Sequence, residues 1–98
     1  MGIRNNYDFE NLVNETERIV LEQMEIQLEH EGMEEICKCQ DCVLDMTALA
    51  LNSLTPHYRV SLIGTVYART IFEGDYADNV KASVASAIKK ISANPSHD

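Results

Sequence analysis

All three cysteines of the chain, Cys37, Cys39 and Cys42, fall within six residues, and the segment behind them opens at once into a helical pattern that is apolar on nearly every side. No other feature constrains the fold as strongly. Three soft ligands spaced C-x-C-x2-C can wrap one Zn2+ without long-range loop closure. The helix behind them then has a defined start. Val43, Leu44, Met46, Ala48, Leu49, Ala50, Leu51 and Leu54 point around most of its circumference, which predicts a buried central helix. It must end before Pro56, whose ring holds Thr55 in extended geometry. Asp45 and Asn52 are seven apart, nearly two turns, and share one face with small Ala48 between them. In a buried helix that polar face is carried inward.

Three uses of the cysteines compete. A structural Zn2+ site leads, because a small core gains most from such a staple. A redox pair at Cys39-Gln40-Asp41-Cys42 is weaker: no strand precedes the motif, and Asp41 raises a thiol pKa. Ordinary buried thiols are the bland reading. A closed zinc site wants four ligands and the chain holds no fourth cysteine. The candidates for that position are His30, His57, His97, Asp41, Asp45, a water and a group from a second subunit. Asp45 follows Cys42 by three residues and so shares its helix face.

Before the cysteines, Asn5 to Asp8 offer N-caps, and Phe9, Leu12, Val13, Thr16, Ile19, Val20, Met24 and Leu28 recur at spacings of three and four. One long amphipathic helix is expected, ending near His30 to Gly32 at a glycine C-cap. Glu10, Glu15, Glu17, Glu22, Glu25 and Glu29 read as its solvated face. Leu21 and Ile26 lie off the stripe, and a second apolar patch on a small protein indicates a subunit contact. After Pro56, residues 59 to 72 carry both strand-favouring β-branched residues and a helical stripe. An extended entry through Arg59 to Leu62 followed by a short helix is the reading adopted. Gly74 marks a break, Asp75 or Asp78 can cap a last helix, and Val80, Val84, Ile88 and Ile91 form its buried stripe. Ala82, Ala85 and Ala87 suit close packing, and Lys89 and Lys90 complement the helix dipole. Asn94 to Asp98 read as a frayed end.

Ninety-eight residues make one domain, residues 1–98, with room for a small core. The net charge of -8 argues against gripping a nucleic acid polymer, which needs clustered Lys and Arg. No stretch approaches the roughly 20 apolar residues of a membrane span, and MGIRNNYDFENLV lacks the apolar core of a signal peptide. A cytoplasmic protein without membrane insertion is expected. There is no phosphate-cradling glycine loop, nucleophile elbow or H-E-x-x-H, so no catalytic residue is nominated and the chain reads as a non-enzyme. The class that follows is an all-α, compact bundle of about four helices, with a cysteine loop ahead of its central helix.

Cys37, Cys39, Cys42, Asp45, Ala48-Leu49-Ala50-Leu51-Asn52, Leu54, Pro56 and Tyr58 resemble the central pattern of the late competence development protein ComFB family. An E-x2-V or E-x2-I pattern in the N-terminal helix and Ala87-Ile88-x2-Ile91 with Asn94, Pro95 and His97 near the end also fit. Thr55 stands where many members have a first proline, which loosens the turn before Tyr58. The resemblance implies a compact helical homodimer that binds zinc through Cys37, Cys39 and Cys42 and serves as an accessory or regulatory protein in competence, the uptake of DNA, with other competence proteins as partners. It also implies, from relatives, a receptor for a cyclic dinucleotide, c-di-GMP or c-di-AMP. Ligand roles then pass to Asp45, Asn52 and Tyr58, with Arg59 added on chemistry. Two phosphates and two bases ask for cations and a stacking surface, and Lys38, Tyr58, Arg59 and Arg69 are of the right types. For Asp45 and Asn52, capping, support of the zinc loop or a buried hydrogen bond outweighs ligand binding.

Overall fold

The computed structural model describes residues 2–60 and 75–95. In chain order they form a single-turn helix α1 (Ile3–Asn6), a two-residue strand β1 (Val13–Asn14), helix α2 (Glu15–Leu28), helix α3 (Gln40–Asn52), strand β2 (Tyr58–Arg59) and helix α4 (Asp75–Ala93). The protein is therefore mostly helical, with one addition to the all-α expectation. β1 and β2 pair antiparallel, Val13 opposite Arg59 and Asn14 opposite Tyr58. The short helix expected after Leu62, the break at Gly74, and the positions of Arg69 and His97 lie outside the described residues.

Three helices meet in one core. α2 supplies Val20 and Met24, α3 supplies Cys42, Met46 and Ala50, and α4 supplies Val80, Val84, Ala87 and Ile88. Each set recurs at three- or four-residue steps, so each helix turns one stripe inward. α3 packs most extensively on α4, and α2 closes over both. Gln27 also donates through Nε2 to the Lys81 carbonyl at 3.1 Å, tying α2 to α4 by a polar link.

Two expectations about the helices change. α2 starts at Glu15, not near Phe9. Asn14 takes the N-cap, its side chain accepting from the Thr16 N–H, while Val13 is drawn into the β1–β2 ladder. Phe9 and Leu12, which fit the helical spacing, are left 44% and 47% exposed. Secondly, α3 is not buried all round. Its Cys42, Met46 and Ala50 face the core, but Leu44, Ala48 and Asn52 form an exposed stripe on the opposite side. The polar face is accordingly not carried inward: Asn52 is exposed and Asp45 half-buried.

The end of α2 follows the sequence closely. The helix closes at Leu28, and Gly32 turns the chain with φ +91, a left-handed value that suits glycine. Met33, Ile36 and Cys37 then rest against the core edge, so the connecting loop is anchored as it delivers the cysteines to the start of α3. Leu21 and Ile26 lie exposed on the outside of α2, off its buried stripe as expected.

Candidate metal centre

Cys39 occupies the N-cap of α3, with extended backbone, and its Sγ accepts from the Cys42 N–H at 3.5 Å. Cys42 sits one turn inside the helix and is buried, Cys37 is half-buried at the end of the loop, and Cys39 is exposed. The helix start thus fixes two sulfurs, and the anchored loop brings the third. The three Sγ atoms all lie within 4.8 Å of one another. A tetrahedral Zn2+ with Zn–S bonds of about 2.3 Å places its sulfurs roughly 3.8 Å apart, so the donor set matches the ion in type and in spread.

The electrostatics agree with that chemistry. The Cys37 thiol is held below its ordinary pKa, first by a hydrogen bond from the Cys39 backbone and then by the Cys39 and Cys42 side chains. Cys42 is pushed up to about 12, first by burial and then by the neighbouring sulfurs. One thiolate forms readily here, and further ones meet their neighbours' charge. A dication removes that repulsion.

Among the described residues no histidine or carboxylate joins the three-sulfur group. Asp41 is exposed in the first turn of α3 and Asp45 is half-buried one turn beyond Cys42. His30 is exposed and its Nδ1 lies 3.1 Å from the Glu31 carbonyl oxygen. His57 belongs to a different structure altogether.

That structure is a polar knot where the β1–β2 pair meets the start of α2. The Glu15 N–H donates to the His57 carbonyl at 2.8 Å, and the Asn14 side chain accepts from both the Thr16 N–H and the His57 N–H. Thr16, fully buried, donates to the Thr55 carbonyl at 2.9 Å, and its Oγ1 also lies 3.0 Å from His57 Nδ1 and 2.9 Å from the Tyr76 hydroxyl. The Tyr76 hydroxyl donates to the same Thr55 carbonyl at 2.7 Å. With both hydroxyl protons directed at Thr55, His57 Nδ1 completes the set as a donor to Thr16. The His57 ring meets Tyr76 edge-on, centroids 4.8 Å apart.

Glu15 is the unexpected member. The glutamate pattern places it on a solvated face, yet it is 1% exposed. Its carboxylate accepts from Arg18 Nε at 2.8 Å and, through the other oxygen, from Arg59 Nε. Arg18 holds the Glu15 carboxyl below the ordinary carboxylate range; burial opposes this and Arg59 reinforces it. A carboxylate out of water has to be paired in this way. The sequence signal was thin: Asn14-Glu15-Thr16 has the residue types of a helix N-terminus, but nothing local foretells Arg59.

The residues nominated as ligand-binding are thus divided. Tyr58 and Arg59 are neighbours on β2, Tyr58 64% exposed and Arg59 folded onto Glu15. Asp45 and Asn52 belong to α3. No described helix is long and apolar enough to cross a membrane.

Residues 13–95 match the family model for late competence development protein ComFB. The chain belongs to that family. A solved structure described as the structural characterization of the late competence protein ComFB from Bacillus subtilis has the same fold, with a TM-score of 0.68 and 27% identity, over 87% of this chain and 92% of that one. No curated protein matches the chain. The matched span runs from β1 through α4 and includes the whole cysteine cluster, so this ComFB-family chain is a competence-related protein by membership.

Proposed function

We propose that the protein is a non-enzymatic, zinc-stapled homodimer that acts as an accessory or regulatory protein in competence. The observation that carries this reading is the cluster of three sulfurs within 4.8 Å at the start of α3. Cys37, Cys39 and Cys42 hold the ion as thiolates. The ion supplies folding free energy, tying the loop after α2 to the helix at the centre of the core. Metal analysis of protein purified under reducing, chelator-free conditions tests it: about one zinc per chain is expected, and a content near zero overturns the reading.

One observation favours a second reading, a cyclic dinucleotide receptor. β2 presents Tyr58 outward, 64% exposed, beside an arginine whose position is set by Glu15. An exposed aromatic next to an ordered guanidinium offers a stacking surface and a phosphate donor. Asp45 and Asn52 on α3 are the further residues it nominates. Calorimetric titration with c-di-GMP and c-di-AMP decides it; heat that vanishes in Tyr58→Ala supports the reading, and no heat at high micromolar ligand removes it. A thiol redox role is the lesser alternative and requires a reversible Cys39 to Cys42 disulfide in zinc-loaded protein.

A further inference from the structure

Glu15 is the first residue of α2 and is buried, and two guanidiniums converge on it. Arg18 Nε donates to its Oε2 at 2.8 Å, and Arg59 Nε donates to its Oε1. One arginine is enough to neutralise one carboxylate. The start of α2 adds the positive end of a helix dipole to the same place, so the cationic groups here exceed the buried charge they enclose. That excess stands on a chain whose net charge is -8.

Both bonds to Glu15 use Nε, so the terminal nitrogens of each guanidinium fork remain for another acceptor. Arg18 shows what kind of acceptor they take. Its Nη1 donates at 2.8 Å to Glu22 Oε1, a carboxylate on a side chain that is 57% exposed. An exposed pair four residues apart on a helix holds weakly, because water competes for both partners. Glu22 is therefore a displaceable oxyanion on one fork. Among the described residues the Arg59 side chain makes no hydrogen bond beyond Glu15. Arg18 and Arg59 are 41% and 26% exposed, so solvent reaches both.

Two arginines anchored on the two oxygens of one carboxylate stand close enough for a single tetrahedral oxyanion to meet both. A phosphate group suits them, since planar forks match its pairs of oxygens and its charge offsets the cationic excess. Glu15 orders both guanidiniums before a ligand arrives, which lowers the entropy lost on binding. We propose that Arg18 and Arg59, positioned by the buried Glu15, form a clamp for a phosphate group, with Glu22 occupying the Arg18 fork until the phosphate displaces it. The clamp deepens the cyclic dinucleotide reading above, and only the nucleotide arm of its test rests on that reading.

Calorimetric titration of the full chain with inorganic phosphate at constant ionic strength, and separately with c-di-GMP, tests the clamp. Phosphate is expected to bind saturably. Arg18→Lys keeps the charge and removes the fork, and should weaken phosphate binding by at least roughly 10-fold with helical circular dichroism unchanged. Glu15→Gln should weaken it too, because both guanidiniums lose the charge that anchors them. Glu22→Gln, at an exposed position, should tighten it by about 2- to 5-fold. Tightening is decisive, since no loss of structure produces it, and it keeps the test valid should the other variants fold poorly. No phosphate binding overturns the clamp. So does binding that is equal in the full chain and every variant, which marks an adventitious ion only. Binding of c-di-GMP that falls with Arg18→Lys supports the clamp and the receptor reading together. Phosphate binding without c-di-GMP binding keeps the clamp and removes the receptor; c-di-GMP binding indifferent to Arg18→Lys does the reverse.

Discussion

Arg59 donates through Nε to the buried carboxylate of Glu15, a residue 44 positions earlier in the chain. This pairing closes the β1–β2 ladder onto the first turn of α2 and sets where Tyr58, its neighbour, faces solvent. Arg18 holds the other carboxylate oxygen. The two arginines are not equivalent. Arg18 comes from within the same helix and forms once the helix forms, whereas Arg59 reports that two distant segments have met.

Removing each partner should therefore have different consequences. Arg59→Ala leaves Glu15 with Arg18 and is expected to lower stability by about 1–3 kcal/mol. Glu15→Leu removes the charge that both guanidiniums face, and its cost is the loss of two partners offset by easier burial of an apolar side chain. The informative comparison is a double-mutant cycle in urea: the Glu15–Arg59 coupling should exceed roughly 0.5 kcal/mol. A coupling of zero would show the pair to be ornamental.

The same carboxylate gives a pH dependence with a definite sign. The folded pKa of Glu15 is lowered, chiefly by Arg18, with Arg59 reinforcing it. Between the folded and unfolded values the unfolded chain binds more protons, so stability rises with pH there. The contribution is complete above the unfolded value of about 4.3 and is lost as pH falls through the folded one. Urea midpoints from pH 7 down to pH 3 should fall, and Glu15→Gln should fall less steeply across that window. Parallel slopes for the two proteins would remove Glu15 as a source of the effect.

Cys39 caps α3 and is proposed as a zinc ligand, and serine separates the two roles. As N-cap of α3 its Sγ accepts weakly from the Cys42 N–H, at 3.5 Å. A serine hydroxyl is a better cap than a thiol. In chelator-treated protein Cys39→Ser should be neutral or stabilising by a few tenths of a kcal/mol up to about 1 kcal/mol. In zinc-loaded protein the same change should destabilise, by about 2.7 kcal/mol where free zinc stands at 100 times the dissociation constant. Thermal melts with and without chelator read the inversion. The same sign in both conditions would mean that the cysteines do not bind metal.

How far the sequence revealed this arrangement depended on the range of the forces involved. The stripe Val80, Val84 and Ile88 was legible because helical spacing alone determines a helix face. The close of α2 was legible because Gly32 has the φ +91 that glycine permits. The start of α2 was not, because Phe9 and Leu12 keep the helical spacing while Val13 is claimed by Arg59 from across the chain. For α3 the apolar pattern runs all round and predicts burial all round, yet the fold covers only the Cys42, Met46 and Ala50 side and leaves Leu44 outside. That the three cysteines come together was legible because they are local in sequence. Glu15 could not, because a glutamate among glutamates looks solvated until its distant arginine is placed.

Thr16 shows how much a hydroxyl can organise. It is completely buried, and its Oγ1 has Thr55, His57 and Tyr76 within hydrogen-bonding distance. Thr16→Val keeps the volume and shape of the side chain, so packing against the core is preserved and only the polar function is deleted. His57 Nδ1 then loses its contact with Thr16, while the Thr55 carbonyl retains Tyr76. Loss of a part-buried hydrogen bond costs about 0.5–1.5 kcal/mol. In a domain of this size each kcal/mol moves the melting temperature by about 4–8 °C, so a fall of roughly 2–12 °C is expected. Thr16→Ser keeps the hydroxyl and loses one methyl, and should recover most of the loss. If Ser and Val variants melt together, the methyl group and not the hydrogen bonds holds the knot. If Thr16→Val melts with the native protein, His57 and Tyr76 are positioned by something other than Thr16.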